Sequence, residues 1–206
     1  MSRHAFVYLA SQSPRRAQLL AQLGVQHRLL LALADEDAES LEAPLPGESP
    51  SDYVPRVTAL KLAAACQRLR KRGLPVAPVL AADTTVTMGR RILAKPADAD
   101  EARAMLQALS GRTHRVITSV AVASARQRWL LTSMSRVRFA VLSAALIEHY
   151  IASQEPFGKA GAYAIQSALA GSIEHISGSY SGIMGLPLFE TAQLLQRAGV
   201  AMALKP

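Results

Sequence analysis

The chain has 206 residues, half of them apolar, 18% charged, with a formal charge of +8. That is enough material for a sizeable core and excludes disorder of the whole chain; no apolar run approaches the roughly 18–20 residues a membrane-spanning helix needs. A single cysteine, Cys66, excludes an internal disulfide, and the five histidines show no metal-ligand spacing. With no export pattern, a cytoplasmic protein without a membrane partner is expected. The positive charge suits a polyanion, or else a solvated basic surface. Aromatics are only 5% and the basic residues are scattered, so no nucleic-acid partner is expected.

In chain order, residues 5–10 (AFVYLA) read as a short buried strand. Ser13 and Pro14 then open a helix, with Leu19, Leu20 and Leu23 as its apolar stripe and Gly24 after its end. A second strand over residues 28–33 runs into the acidic stretch Asp35-Glu36-Asp37, and residues 42–50, rich in Pro and Gly, form a loop. A long helix is predicted from about Ser51 to Arg72. Residues 79–82 form an apolar strand ending at Asp83, followed by a turn at Gly89. Asp98 and Glu101 start a helix that reaches Leu109. Residues 115–123 and 128–141 alternate as an antiparallel pair, and Ser143 caps a helix to about Ala152. Residues 155–187 mix strands with functional loops, and a last helix spans about 188–197. The interleaving gives a single α/β domain over residues 1–206.

Three constellations carry chemistry. In Ser11-Gln12-Ser13-Pro14-Arg15-Arg16, two arginines sit in the first turn of a helix, where the dipole disfavours cations unless an anion joins them. Phosphate fits guanidinium and serine donors alike; two solvated arginines beside an ordinary cap is the other reading. Asp83-Thr84-Thr85 stands at the expected carboxyl end of a strand, where open α/β sheets bind ligands and a carboxylate can hold a metal or accept a proton. A turn-forming aspartate would look the same. Lys61 lies on the apolar face of its helix, either snorkelling past the core or pointing into a cleft. Lys95 and Glu36 are weaker candidates, each with a solvated alternative.

Taken together, LASQSPRRAQLLAQLG, VLAADTTV, LAKP, ALSGRTHRV, EPFGKAGAYAIQS and GSYSGIMGLPLFE resemble the signature blocks of the Maf family, in order from one end of the chain to the other. The resemblance implies a mixed α/β fold with flanking helices and two lobes around a cleft, related to the inosine-triphosphatase group, and a homodimer. It implies a nucleoside-triphosphate pyrophosphatase using a divalent cation, Mg²⁺ with Mn²⁺ or Co²⁺ as alternatives. Asp83 matches the family's proton acceptor, which with Glu36 would hold the metal. Ser11, Ser13 and Arg16 match its phosphate block, and Glu36, Lys61, Lys95 and Lys159 its other cleft residues. Arg15, Thr84 and Gln166 fall where the substrate branches divide, and resemble the dTTP/UTP branch; the 7-methyl-GTP branch carries Trp, Gln and Glu there. Gly158 stands where the family usually has Asp, and Ala164 and Ser167 replace glycines. A 7-methyl-GTP specificity, or a basic protein arresting septation without turnover, are the rival readings.

Overall fold

The structure, a computed structural model, describes residues 4–33, 36, 40–125 and 127–204. Asp35 and Asp37 of the acidic stretch lie outside them. The elements run β1 (Val7–Leu9), α1 (Pro14–Gln22), β2 (His27–Leu29), α2 (Pro50–Lys71), β3 (Val79–Met88), β4 (Arg91–Leu93), α3 (Ala99–Leu109), β5 (Thr113–Ala123), β6 (Arg128–Phe139), α4 (Ala144–Ala152), β7 (Ile173–Ser177), α5 (Tyr180–Met184) and α6 (Leu188–Arg197). Among the described residues no helix is long and apolar enough to cross a membrane.

The strands form one mixed sheet in the order β2-β1-β3-β5-β6-β7, with β4 paired to β3. β1 runs parallel to both β2 and β3, which explains why its three residues are all buried: parallel strands are covered on both faces. From β3 onward the pairing is antiparallel. Alternation along β3 divides its two faces. Leu80 and Ala82 pack with Leu19 and Leu20 of α1 and Leu194 and Leu195 of α6, while Val79 and Ala81 pack with Leu62, Ala65 and Leu69 of α2. Further along, Val86 joins Val116, Val137 and Phe139 in a separate cluster with α3 and α4. Each fully buried leucine contributes about 1.5–3 kcal/mol, so these clusters hold the long strands in register.

Between the two apolar halves lies a polar waist: Asp83, Thr84 and Thr85 on β3, opposite Ser119, Thr118 and Ile117 on β5. The expected end of the strand at Asp83 is corrected here. β3 continues to Met88, carried on by β-branched threonines and valine and by its ladder with β5. The strand that does end is β1. Its last pairing is Leu9 with Leu80, and β4 takes up the same side of β3 only at Val86. From Ala81 to Thr85 no described strand covers that edge, and the loop from Ala10 into α1 enters there. The carboxyl-end rule thus applies to β1.

Residues 155–187 resolve into 3₁₀ turns at Ala160–Ala162 and Ala168–Ser172, then β7 and the five-residue α5, capped by the Ser179 hydroxyl on the Gly182 N–H. Helix α2 begins at Pro50 under a Ser49 cap, so the expected start was one residue late.

Candidate active site

Because neighbouring residues of a strand face opposite ways, Asp83 and Thr84 recruit different helices around the open edge of β3. Asp83 faces α2. Lys61, three turns into that helix, places its Nζ 2.6 Å from Asp83 Oδ1 and 2.6 Å from Glu42 Oε1. The two carboxylates are therefore held by one ammonium, itself 20% exposed, with Asp83 at 11%. Asp83 Oδ2 is left with the Thr85 hydroxyl at 3.4 Å. Tyr53, one helical face away, donates its hydroxyl to the Glu42 carbonyl at 2.8 Å and so ties down the segment that carries Glu42. Burial, then the charges of Asp83 and Glu42, push the Tyr53 hydroxyl up to about 12, which keeps it a donor.

Thr84 faces α1. Arg16 spreads its guanidinium over three acceptors: Nε to the Gly185 carbonyl at 2.8 Å, and its two terminal nitrogens to Ser11 Oγ at 3.0 Å and Thr84 Oγ1 at 3.3 Å. The Thr118 hydroxyl has two acceptors in reach, the Gly182 carbonyl at 2.7 Å and Thr84 Oγ1 at 3.0 Å. Gly185 holds its carbonyl there with a φ of 121°, a conformation that favours glycine. Burial pushes the Arg16 guanidinium below its ordinary value, and the Asp83 carboxylate pulls it back up. That attraction acts across the open edge, so the two faces belong to one electrostatic site.

The remaining candidates are held less firmly. The Ser13 hydroxyl makes no capping bond to α1, although its N–H donates to Ser11 Oγ at 3.2 Å. Arg15 makes no hydrogen bond with a described residue, but its charge lowers both Arg16 and Lys159. Lys159 donates to the Glu155 carbonyl, and burial is the main cause of its lowered value. Lys95 is mostly exposed, 3.9 Å from Glu42 Oε2. Gln166 is exposed, three residues beyond Tyr163. The loop carrying Lys159 and Gln166 is pinned from below: Tyr163 is buried with its hydroxyl 2.6 Å from His114 Nε2, and a Cβ on Gly161 would meet Val86 at 2.8 Å. At Gly158 nothing lies within 4 Å of where a Cβ would stand, so the aspartate usual in the family would point into open space.

Glu36 is corrected. Its carboxylate is taken by Arg68, with Nε at 2.9 Å from both oxygens and a terminal nitrogen at 2.5 Å, two helical turns along α2 from Lys61. The carboxylate brought to Lys61 and Asp83 is Glu42, which sequence reasoning left at the start of a loop. Thr118 and the Gly182 and Gly185 carbonyls were missed as well. Alternation in β5 could have found Thr118, which shares the face of Thr84. No pattern marks a carbonyl contributed by a glycine more than 160 residues from Arg16.

The edge site gathers Arg15, Arg16, Lys61, Lys95 and Lys159 against Asp83, Glu42 and Glu155, an excess of cations that attracts a polyanion. Fold and site together define an α/β protein with cations gathered around one strand-borne carboxylate at an open edge of its sheet. The chain belongs to the Maf-like protein family, whose profile matches residues 6–198. It is 63% identical over 194 residues to a dTTP/UTP pyrophosphatase of Albidiferax ferrireducens, covering 94% of this chain and 97% of that one. Similar relatives of the same description occur in Polaromonas sp. (62%, 95% and 96% covered) and Cupriavidus metallidurans (64%, 95% and 98%). Among solved structures, the Ham1 protein of Staphylococcus aureus matches over 65% of this chain and 71% of that one, at 13% identity and a TM-score of 0.43.

Proposed function

We propose that the chain hydrolyses dTTP and UTP at the α–β phosphoanhydride bond, releasing the nucleoside monophosphate and pyrophosphate. The observation that carries this reading is the strand-borne carboxylate, Asp83, held by Lys61 on one face of β3 while Arg16 waits on the other. The relatives' shared description, at about three-fifths identity over nearly their whole lengths, supports the substrate class.

In this mechanism a water oxygen bonds to the α-phosphorus, its proton passes to Asp83 Oδ2, and the bond to the bridging oxygen breaks so that pyrophosphate leaves. Lys61 fixes the other Asp83 oxygen and so aims the accepting one. Arg16, fixed by its three acceptors, is preorganised for phosphate oxygens, as is the Ser11 hydroxyl beside it. Lys95 and Lys159 bind the outer phosphates of the substrate. A divalent cation fits the donor set: two hard carboxylates already share one positive charge, and Mg²⁺ takes one or two carboxylates with substrate phosphates completing its shell. Asp83 and Glu42 would hold it, and when bound it would screen the phosphate charge. Among the described residues no cluster of three or more His, Cys, Asp or Glu offers another seat.

Arg15, Thr84 and Gln166 set the base preference in this reading. A glutamine offers both a donor and an acceptor to the edge of thymine or uracil. Initial-rate hydrolysis of dTTP, UTP, ATP and 7-methyl-GTP with Mg²⁺ tests it. The pyrimidines should lead in kcat/KM by at least about tenfold, and Gln166→Glu should erode that ratio. A best rate on 7-methyl-GTP would overturn the branch, and no turnover of any triphosphate would overturn the reaction.

A further inference from the structure

A cavity of about 870 Å³ opens at the opposite end of β3 from the polar waist, between the last turns of α2 and the β5–β6 turn. Its volume lies within the roughly 300–1,000 Å³ of small-molecule sites. Cys66, the only cysteine in the chain, is buried at its wall, beside Leu69, Leu74, Ala77 and Val79. Val76 on the same lining is 75% exposed, a large apolar side chain left in water.

Two arginines also line this cavity, and they come from different elements: Arg70 from α2 and Arg128 from the first position of β6. Neither guanidinium makes a hydrogen bond or ion pair with a described residue, and among the described residues no Asp or Glu lines the cavity. Both charges reach the same thiol: burial pushes Cys66 up, while Arg128 and Arg70 pull it back. Two exposed arginines on the rim of one apolar hollow offer uncompensated positive charge to an anionic head group. Guanidinium binds carboxylate or phosphate in the same two-pronged geometry.

We propose that this cavity is a second binding site, separate from the nucleotide crevice, for a small amphipathic anion: an apolar body with one carboxylate or phosphate head. The apolar body lies along Leu69, Leu74 and Val79, and the head is clamped by Arg70 and Arg128.

The lone cysteine supplies the assay. The full-length protein is labelled at Cys66 with N-ethylmaleimide in rising concentrations of decanoate, decyl phosphate or neutral decanol. Each productive anion should slow labelling saturably, by about tenfold at ten times its dissociation constant, while decanol at equal concentration does not. Whichever of decanoate and decyl phosphate protects at the lower concentration identifies the head group. Arg70→Gln combined with Arg128→Gln, both exposed positions, should abolish the protection relative to that variant's own unliganded rate. Equal protection by decanol, no protection by either anion, or labelling that slows only as protein concentration rises, which would mean a second copy covers the cavity, each overturns the proposal.

Discussion

The two halves of the crevice are built differently. On one side stand two hydrogen-bonded sets, Arg16 with Thr84 and Thr118, and Lys61 with Asp83 and Glu42, each charged group held by partners distant in sequence. On the other side Arg15 and Gln166 make no hydrogen bond with a described residue, and Lys95 has one contact at 3.9 Å. The difference is what hydrolysis of a phosphoanhydride asks for. Groups that act on developing charge gain most from being fixed before substrate arrives, because reorganisation then costs nothing at the moment of reaction. Groups that only greet the base and the outer phosphates can remain solvated until they are used.

Removing the accepting oxygen should do the most damage. Asp83→Asn keeps the shape of the side chain and leaves Lys61 its bond to Glu42, so the fold should persist by circular dichroism while turnover falls about 10²–10⁴-fold. A variant with half the wild-type rate would take Asp83 out of the mechanism. Arg16→Ala comes next, with a loss of about 2–4 kcal/mol in kcat/KM, carried mainly by kcat. An effect confined to KM would show that Arg16 is no more preorganised than the solvated cations.

The solvated side has a rigid footing that can be tested separately. His114 is buried under the loop of Lys159 and Gln166, stacked on Phe139 and bonded to Tyr163, and its Nδ1 has no partner. Burial pushes its value from 6.5 down to about 4, so it is held neutral. A base lowered in this way stabilises the fold fully above pH 6.5 and loses that contribution as the pH falls through 6.5 towards 4. Urea unfolding should show about 3 kcal/mol of such loss in the wild type that His114→Gln lacks; parallel pH profiles would remove His114 as the source. The smallest effect belongs to Lys95→Ala. It should raise KM by about tenfold or less with kcat nearly unchanged, because an exposed cation adds binding that is the same in ground and transition states.

Much of this was legible beforehand. Periodicity and caps placed the helices within a residue or two, since α2, α3 and α4 each carry a serine or aspartate cap and an apolar stripe. Lys61 on an apolar face had two readings, snorkelling or a cleft, and its bonds to Asp83 and Glu42 depend on chain segments its own helix does not report. What could not be read was set by distance along the chain. Whether β3 stops at Asp83 depends on its pairing with β5, and which acidic residue meets Lys61 depends on the path of a loop that Tyr53 ties down. Glu36 and Glu42 are equivalent as letters; Arg68 claims one and Lys61 the other. The Gly185 carbonyl on Arg16 is a backbone group, and side-chain patterns do not report those.

Asp83 is proposed to direct water onto the α-phosphorus of a pyrimidine triphosphate. Hydrolysis of dTTP with Mg²⁺ in ¹⁸O-labelled water, followed by mass spectrometry of both products, tests it directly. Unlabelled pyrophosphate and a single ¹⁸O in dTMP are expected; label in the pyrophosphate, or release of orthophosphate with dTDP, would overturn attack at the α-phosphorus.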